Sequence, residues 1–281
     1  MNRMRRIDPM VIVTAMLCAA LIVFSAVSAR PARPVGFGRS GSTYDQSTGG
    51  ASLFREYLEA AGLRVTSIEG DRFAPNAAGV SVLFLLGPTE PIDAADRAQL
   101  HDYVRFGGVL VIATDLGFGE RQLLEEFGLA AAQRTLHSGT VPVRSIAFAD
   151  PPVRSLSIDL GTTLAPDVDA TPLVLDDGNP FVAVTREGRG TVYAVGSLAP
   201  FVNSGIALAD NAHFGLVLAA AGTGHVGFDE YHHGAHPSPD FIALLERTWL
   251  GRALLAAGAL LFVYIVLTGR RIGPPLPLDP R

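Results

Sequence analysis

Two long apolar runs constrain this chain more than any other feature. Residues 10–29 carry no charge, and residues 250–268 are similar except for Arg252 near the start. At 1.5 Å per helical residue, each run of about 20 residues is long enough to cross ~30 Å of hydrocarbon. Arg252 lies close enough to an end to snorkel. Arg3, Arg5 and Arg6 precede the first run, and Arg270 and Arg271 follow the second. The positive-inside rule therefore expects both termini in the cytoplasm and the intervening domain outside, with Arg30 and Arg33 a smaller opposing charge. Val27-Ser28-Ala29 offers a signal-peptidase site, but the apolar run exceeds the roughly 7–15-residue core of a cleaved signal. The expected organisation is a cytoplasmic tail (1–9), a span (10–29), a linker (30–48), an extracytoplasmic domain (49–239), a second span (250–268) and a Pro-rich cytoplasmic tail (269–281).

Composition excludes several chemistries. Residues 39–247 hold 13 Arg against 25 Asp and Glu, a balance of −12. Such a surface repels nucleic acid, so no nucleic-acid partner is expected; the two apolar runs make the bilayer an expected partner. All 22 basic residues are Arg, which removes a Walker A loop, a Schiff base and a Ser–Lys dyad. Cys18 is the sole cysteine and sits in the first apolar run, so the outer domain has neither disulfide nor thiol nucleophile. No G-x-S-x-G occurs. Gly36, Gly38 and Gly41 spell G-x-G-x-x-G, but Pro31 and Pro34 precede them where a dinucleotide site needs a strand.

The domain alternates strand and helix. Residues 49–61 read as a helix capped by Ser47 or Thr48, with an apolar stripe through Leu53, Phe54, Tyr57 and Leu58 and a stop at Gly62. The Gly49-Gly50 pair at its start is a possible anion seat. Residues 63–68 alternate like a strand. Residues 80–86 and 109–113 are nearly all apolar, the pattern of strands covered on both faces. Asp93 caps a helix between them, and residues 120–127 form a short one. Residues 130–177 read as a Pro-interrupted β excursion. Residues 181–185 and 191–195 flank a hairpin turn, a helix covers 206–221, and 225–228 is the last strand. This order predicts an α/β fold: a Rossmann-like, mostly parallel sheet flanked by helices, with a β excursion, between two membrane helices.

In open sheets of this kind ligands sit beyond the carboxyl ends of the strands. That places Glu90, Thr114, Asp115, Glu120 and Asn203 on candidate cleft loops. The densest chemistry follows the last strand: Asp229, Glu230, Tyr231, His232, His233 and His236. One reading is a divalent metal held by Asp229, Glu230, His232 and His236, since imidazole and carboxylate suit zinc. A second makes Asp229 or Glu230 a general base with a His partner. The preferred reading is a structural hydrogen-bond network or partner face, with no catalytic residue and no cofactor. Gly234 and Pro237 argue that this stretch is not helical, so its adjacent histidines point opposite ways. His101, His137 and His213 read as solvent-facing.

Leu85-Leu86-Gly87-Pro88, Phe106-Gly107-Gly108-Val109, Gly188-Arg189-Gly190-Thr191, Asp210-Asn211-Ala212 and Asp229-Glu230-Tyr231-His232-His233-Gly234 together resemble the bacterial membrane proteins grouped as domain of unknown function 4350, over roughly residues 40–270. The resemblance implies a fold akin to class I glutamine amidotransferases, held outside the membrane, without an established activity. Members are similar to components encoded beside MoxR-type ATPases and von Willebrand A-type proteins. That implies a binding or assembly role in the envelope with a membrane or envelope protein as partner; a metal-dependent hydrolase of envelope material and a small-ligand sensor are the alternatives. Many relatives continue past the second span, whereas this sequence stops at Arg281.

Overall fold

A computed structural model describes residues 39–115, 119–135 and 138–235, with a few helical positions between 249 and 258. Most of the two apolar runs, with His137 and His236, lies outside these residues. Among the described residues, no helix is long and apolar enough to cross a membrane.

Seven strands form the central sheet. They are β1 (Arg64–Ile68), β2 (Val82–Leu86), β3 (Val109–Ala113), β8 (Thr171–Asp176), β9 (Asn179–Glu187), β10 (Gly190–Val195) and β11 (His225–Asp229), in the spatial order β1-β11-β2-β3-β10-β9-β8. The first five in that order run parallel, and β9 and β8 are antiparallel additions. Every residue of β2 and β3 is buried, because helices cover both faces of the sheet. Alternate side chains serve the two sides. Val82, Phe84 and Leu86 pack with helices α1 (Ser52–Ala60) and α4 (Asn211–Ala219). Leu83 and Leu85 pack with α2 (Ala94–Arg105) and α3 (Arg121–Glu126). On the α1 side, Phe54 stands edge-on to Phe84 and Phe228, with ring centroids 5.2 and 5.6 Å away.

The β excursion stays within this domain. β4 (Leu129–Thr135) pairs with β7 (Thr162–Pro166), and β5 (Gly139–Pro142) pairs with β6 (Ser155–Ile158), as two small antiparallel ladders. Leu129 and Leu164 join the α2–α3 core; Val141, Leu156 and Ile158 join the α1–α4 core.

Two helix starts differ from the sequence reading. Asp93 does cap α2, accepting from the Ala95 and Asp96 N–H groups at 2.8 and 2.9 Å. At α1, neither Ser47 nor Thr48 does this. Asn203, 150 positions away, accepts from Leu53 N at 2.9 Å instead. The Gly50 and Ala51 N–H groups are bonded to Ser47 O and Ser42 O, so the possible anion seat is filled by the chain's own carbonyls. Helix α4 begins at Asn211, five residues later than expected, because 198–209 run as turns. Asn211 is wholly buried there and bonds Ser157 N, Ser157 O and Gly205 O.

Candidate functional site at the carboxyl ends of the strands

Residues 39–44 lie as a strap across the carboxyl ends of four parallel strands, contacting them in the order they occupy in the sheet. Arg39 Nη1 reaches Asp115, just beyond β3, at 3.3 Å, and the same guanidinium pairs with Asp159. Gly41 crosses the end of β2 so closely that a Cβ there would lie 2.0 Å from Leu86 O. Its φ of +64° is a second reason for glycine. Ser42 Oγ donates to Glu230 Oε2, just beyond β11, at 2.6 Å. Thr43 donates to Glu230 Oε1 through both its N–H and its hydroxyl, each at 2.7 Å. Tyr44 OH donates to Glu69 beyond β1 at 2.7 Å.

Glu230 is 1% exposed, and its carboxylate accepts three short bonds from residues 187 and 188 positions earlier. A buried charge persists only when its oxygens are satisfied in this way. The chain arriving at residue 39 and the chain leaving at residue 235 are thereby tied to one rim. Gly70 N–H donates to Ala235 O at 3.1 Å and fixes the outgoing side.

Asp229 faces elsewhere. Tyr231–His233 form a single 3-10 turn closed by Gly234 at φ +86°, which corrects the expectation of a non-helical stretch. The turn brings His232 back onto Asp229. His232 N–H donates to Asp229 Oδ1 at 3.2 Å, and Nδ1 meets Asp229 Oδ2 at 2.7 Å. On the far side, Nε2 lies 3.3 Å from Asp96 on α2. Burial alone would push the imidazole pKa down. The bond and charge of Asp229, followed by those of Asp96, outweigh it, and the net shift is upward. His232 O accepts from Thr89 N and Glu90 N at 3.0 and 2.9 Å, so the turn also holds the β2 loop. Tyr231 packs on Phe73 at 5.8 Å. His233 has a buried Nδ1 without a hydrogen-bond partner, and burial lowers its pKa despite nearby Glu230 and Asp229.

The expected cleft residues divide. Asp115 is buried, accepts from Leu198 N at 2.8 Å, and has its pKa raised by burial against the opposing pull of Leu198 N–H and Arg39. Glu120 is 2% exposed, and burial raises its carboxyl to about 7 even though Thr114 hydrogen-bonds it. Glu90 Oε1 lies against Gly234. Asn203 is the exception. Besides capping α1, its amide donates to Asp45 O and Ser47 O at 3.1 and 2.7 Å, which makes it a brace behind the strap and not a cleft residue. His101, expected in solvent, sits between Glu187 at 2.7 Å and Glu126 at 3.3 Å and packs at a tilt on Phe127.

The metal set proposed from sequence does not converge. His232 is engaged by Asp229 and Asp96, Glu230 faces the strap, and His236 lies outside the described residues. No three His, Cys, Asp or Glu side chains among the described residues are grouped as a metal shell requires. The strap contacts were not visible in the sequence. Gly41-Ser42-Thr43 carried only a chance glycine motif, and its partners are far away along the chain.

The profile of a family described as "Domain of unknown function (DUF4350)" matches residues 43–219. The chain belongs to the DUF4350 family. The matched span runs from Thr43 of the strap to the end of α4. It is narrower than residues 40–270 and stops before the Asp229–Gly234 string. No curated protein matches the chain. Among solved structures, the N-terminal domain of mmIFT52 is 18% identical, with 60% of this chain and 89% of that one covered and a TM-score of 0.51. Cytoplasmic protein STM1381 from Salmonella typhimurium LT2 is 16% identical (62% and 88% covered, TM-score 0.47). An exo-β-1,4-mannosidase from Opitutaceae bacterium strain TAV5 is 20% identical at a TM-score of 0.44, and the 61% of this DUF4350 chain that aligns spans 30% of the mannosidase. At 18% identity the likeness to the mmIFT52 domain shows the fold alone.

Proposed function

We propose that this DUF4350 chain is a membrane-anchored, non-enzymatic binding or assembly module of the bacterial cell envelope, with its α/β domain outside the membrane. The observation that carries the reading is the use of Glu230: its carboxylate bonds Ser42 and Thr43 of the domain's own incoming segment. Asp115 is likewise spent on Arg39 and Leu198 N. These buried acids at the strand ends hold the domain together. The same bonds put the incoming and outgoing chain on one rim, an arrangement suited to two neighbouring tethers. The parallel sheet with its site at the carboxyl ends supports a glutamine amidotransferase-like fold, in which Thr114-Asp115 stand beyond the strand where such an enzyme needs a cysteine.

The test uses the full chain in its own membranes, with a photo-crosslinking residue replacing Tyr231. The reading expects the chain to resist alkaline extraction, its domain to be cleaved by protease added outside, and one adduct of reproducible mass with a different protein. A soluble chain, or adducts with itself only, would contradict it.

A further inference from the structure

The strap and the rim beneath it are chemically complementary in one direction. The rim offers acceptors: the Asp115, Asp159, Glu230 and Glu69 carboxylates. The strap offers donors to them: the Arg39 guanidinium, the Ser42, Thr43 and Tyr44 hydroxyls, and Thr43 N–H. Behind the strap the chain returns as a backbone wall. Gly49 O accepts from Gly41 N–H at 3.1 Å, and Ala51 N–H donates to Ser42 O at 2.8 Å. Leu86 O leaves no room for a side chain at position 41. Main-chain bonds together with side-chain acceptors at fixed spacing are how peptide segments are recognised, and strand carboxyl ends are where open α/β sheets take ligands.

The geometry points to a peptide-binding groove that the chain itself occupies. Residues 39–44 stand in for a segment of another polypeptide, with Arg two positions before an obligatory Gly and two hydroxyl residues directly after it. The inference rests on the binding-module reading and names its ligand class. Glu230 sets specificity by demanding two adjacent hydroxyls and an N–H. Asp115 and Asp159 select the guanidinium. Leu86 O excludes every residue but glycine between them.

The probe is a fluorescent peptide of the strap sequence, Arg-Ser-Gly-Ser-Thr-Tyr-Asp, added to the full chain in lipid nanodiscs. Weakening the resident strap with S42A and T43A should make the peptide bind about tenfold tighter than to the unaltered chain. Adding Glu230→Gln, or placing Ala for Gly in the peptide, should weaken binding by about tenfold or more. Equal binding of the Gly and Ala peptides, or no binding to a strap-weakened chain with an unaltered circular dichroism spectrum, would overturn the groove. If the double variant does not fold, hydrogen exchange on the unaltered chain decides. Excess peptide should speed exchange at residues 41–44 and leave β2 and β3 unchanged, whereas unchanged exchange at 41–44 would overturn it. A partner adduct at position 231 with a silent peptide would remove the groove and leave the binding-module reading standing.

Discussion

Asp229 and Glu230 are consecutive, 2% and 1% exposed, and spend their charges in opposite ways. Asp229 bonds a residue three positions on, inside one turn, and through His232 reaches α2. Glu230 bonds a segment at the other end of the domain. The first arrangement shapes a turn. The second closes the domain around its strand ends, so breaking it should release the strap without unravelling the sheet. Local and distant use of the same chemistry therefore predicts different consequences for neighbouring substitutions.

The largest effect is expected at the distant bond. Glu230→Ala leaves the Thr43 N–H and two hydroxyls without their acceptor, and should cost about 3 kcal/mol in a urea titration. Asp229→Ala should cost about 2 kcal/mol and leave exchange at Thr43 unchanged. Equal loss of strap protection in both variants would break the comparison.

Glu120 sharpens it with a buried acid that the strap does not touch. Its pKa is raised to about 7, so the folded state holds this proton more tightly than the unfolded chain. The stability it contributes is present at low pH and is lost as pH rises from about 4.5 to about 7. Glu120→Gln should therefore raise stability by on the order of 2 kcal/mol at pH 8 and change little at pH 4. A uniform change at both pH values would contradict this.

Gly41→Ala meets Leu86 O and a positive φ together. It should cost about 1–2 kcal/mol and speed exchange at Thr43. His232 gives the smallest effect. Its raised pKa means the Asp229–His232–Asp96 set stabilises the fold fully below the ordinary imidazole value and loses that contribution as pH rises through the folded value. In Asp96→Asn the imidazole should titrate lower by NMR; an unshifted titration would remove Asp96 from the set.

What could be read from the sequence follows the same division between local and distant. β2 and β3 were legible because burial on both faces leaves unbroken apolar runs, and the Asp93 cap because its bonds reach only two and three residues on. The acids at the strand ends were legible by position. Their partners were not. Nothing near Ser42 and Thr43 announces Glu230, and nothing near Leu53 announces that Asn203 caps α1. The late start of α4 had the same cause, because buried Asn211 is paid for by β6 and Gly205, which no local pattern reports.

A double-mutant cycle between the strap and Glu230 tests the central claim most directly. Stabilities of the unaltered chain, the Ser42→Ala and Thr43→Val pair, Glu230→Gln and the combined variant would be measured by urea unfolding. The strap geometry predicts a coupling of about 1–3 kcal/mol. Additivity within about 0.5 kcal/mol would mean that the strap does not lie on Glu230.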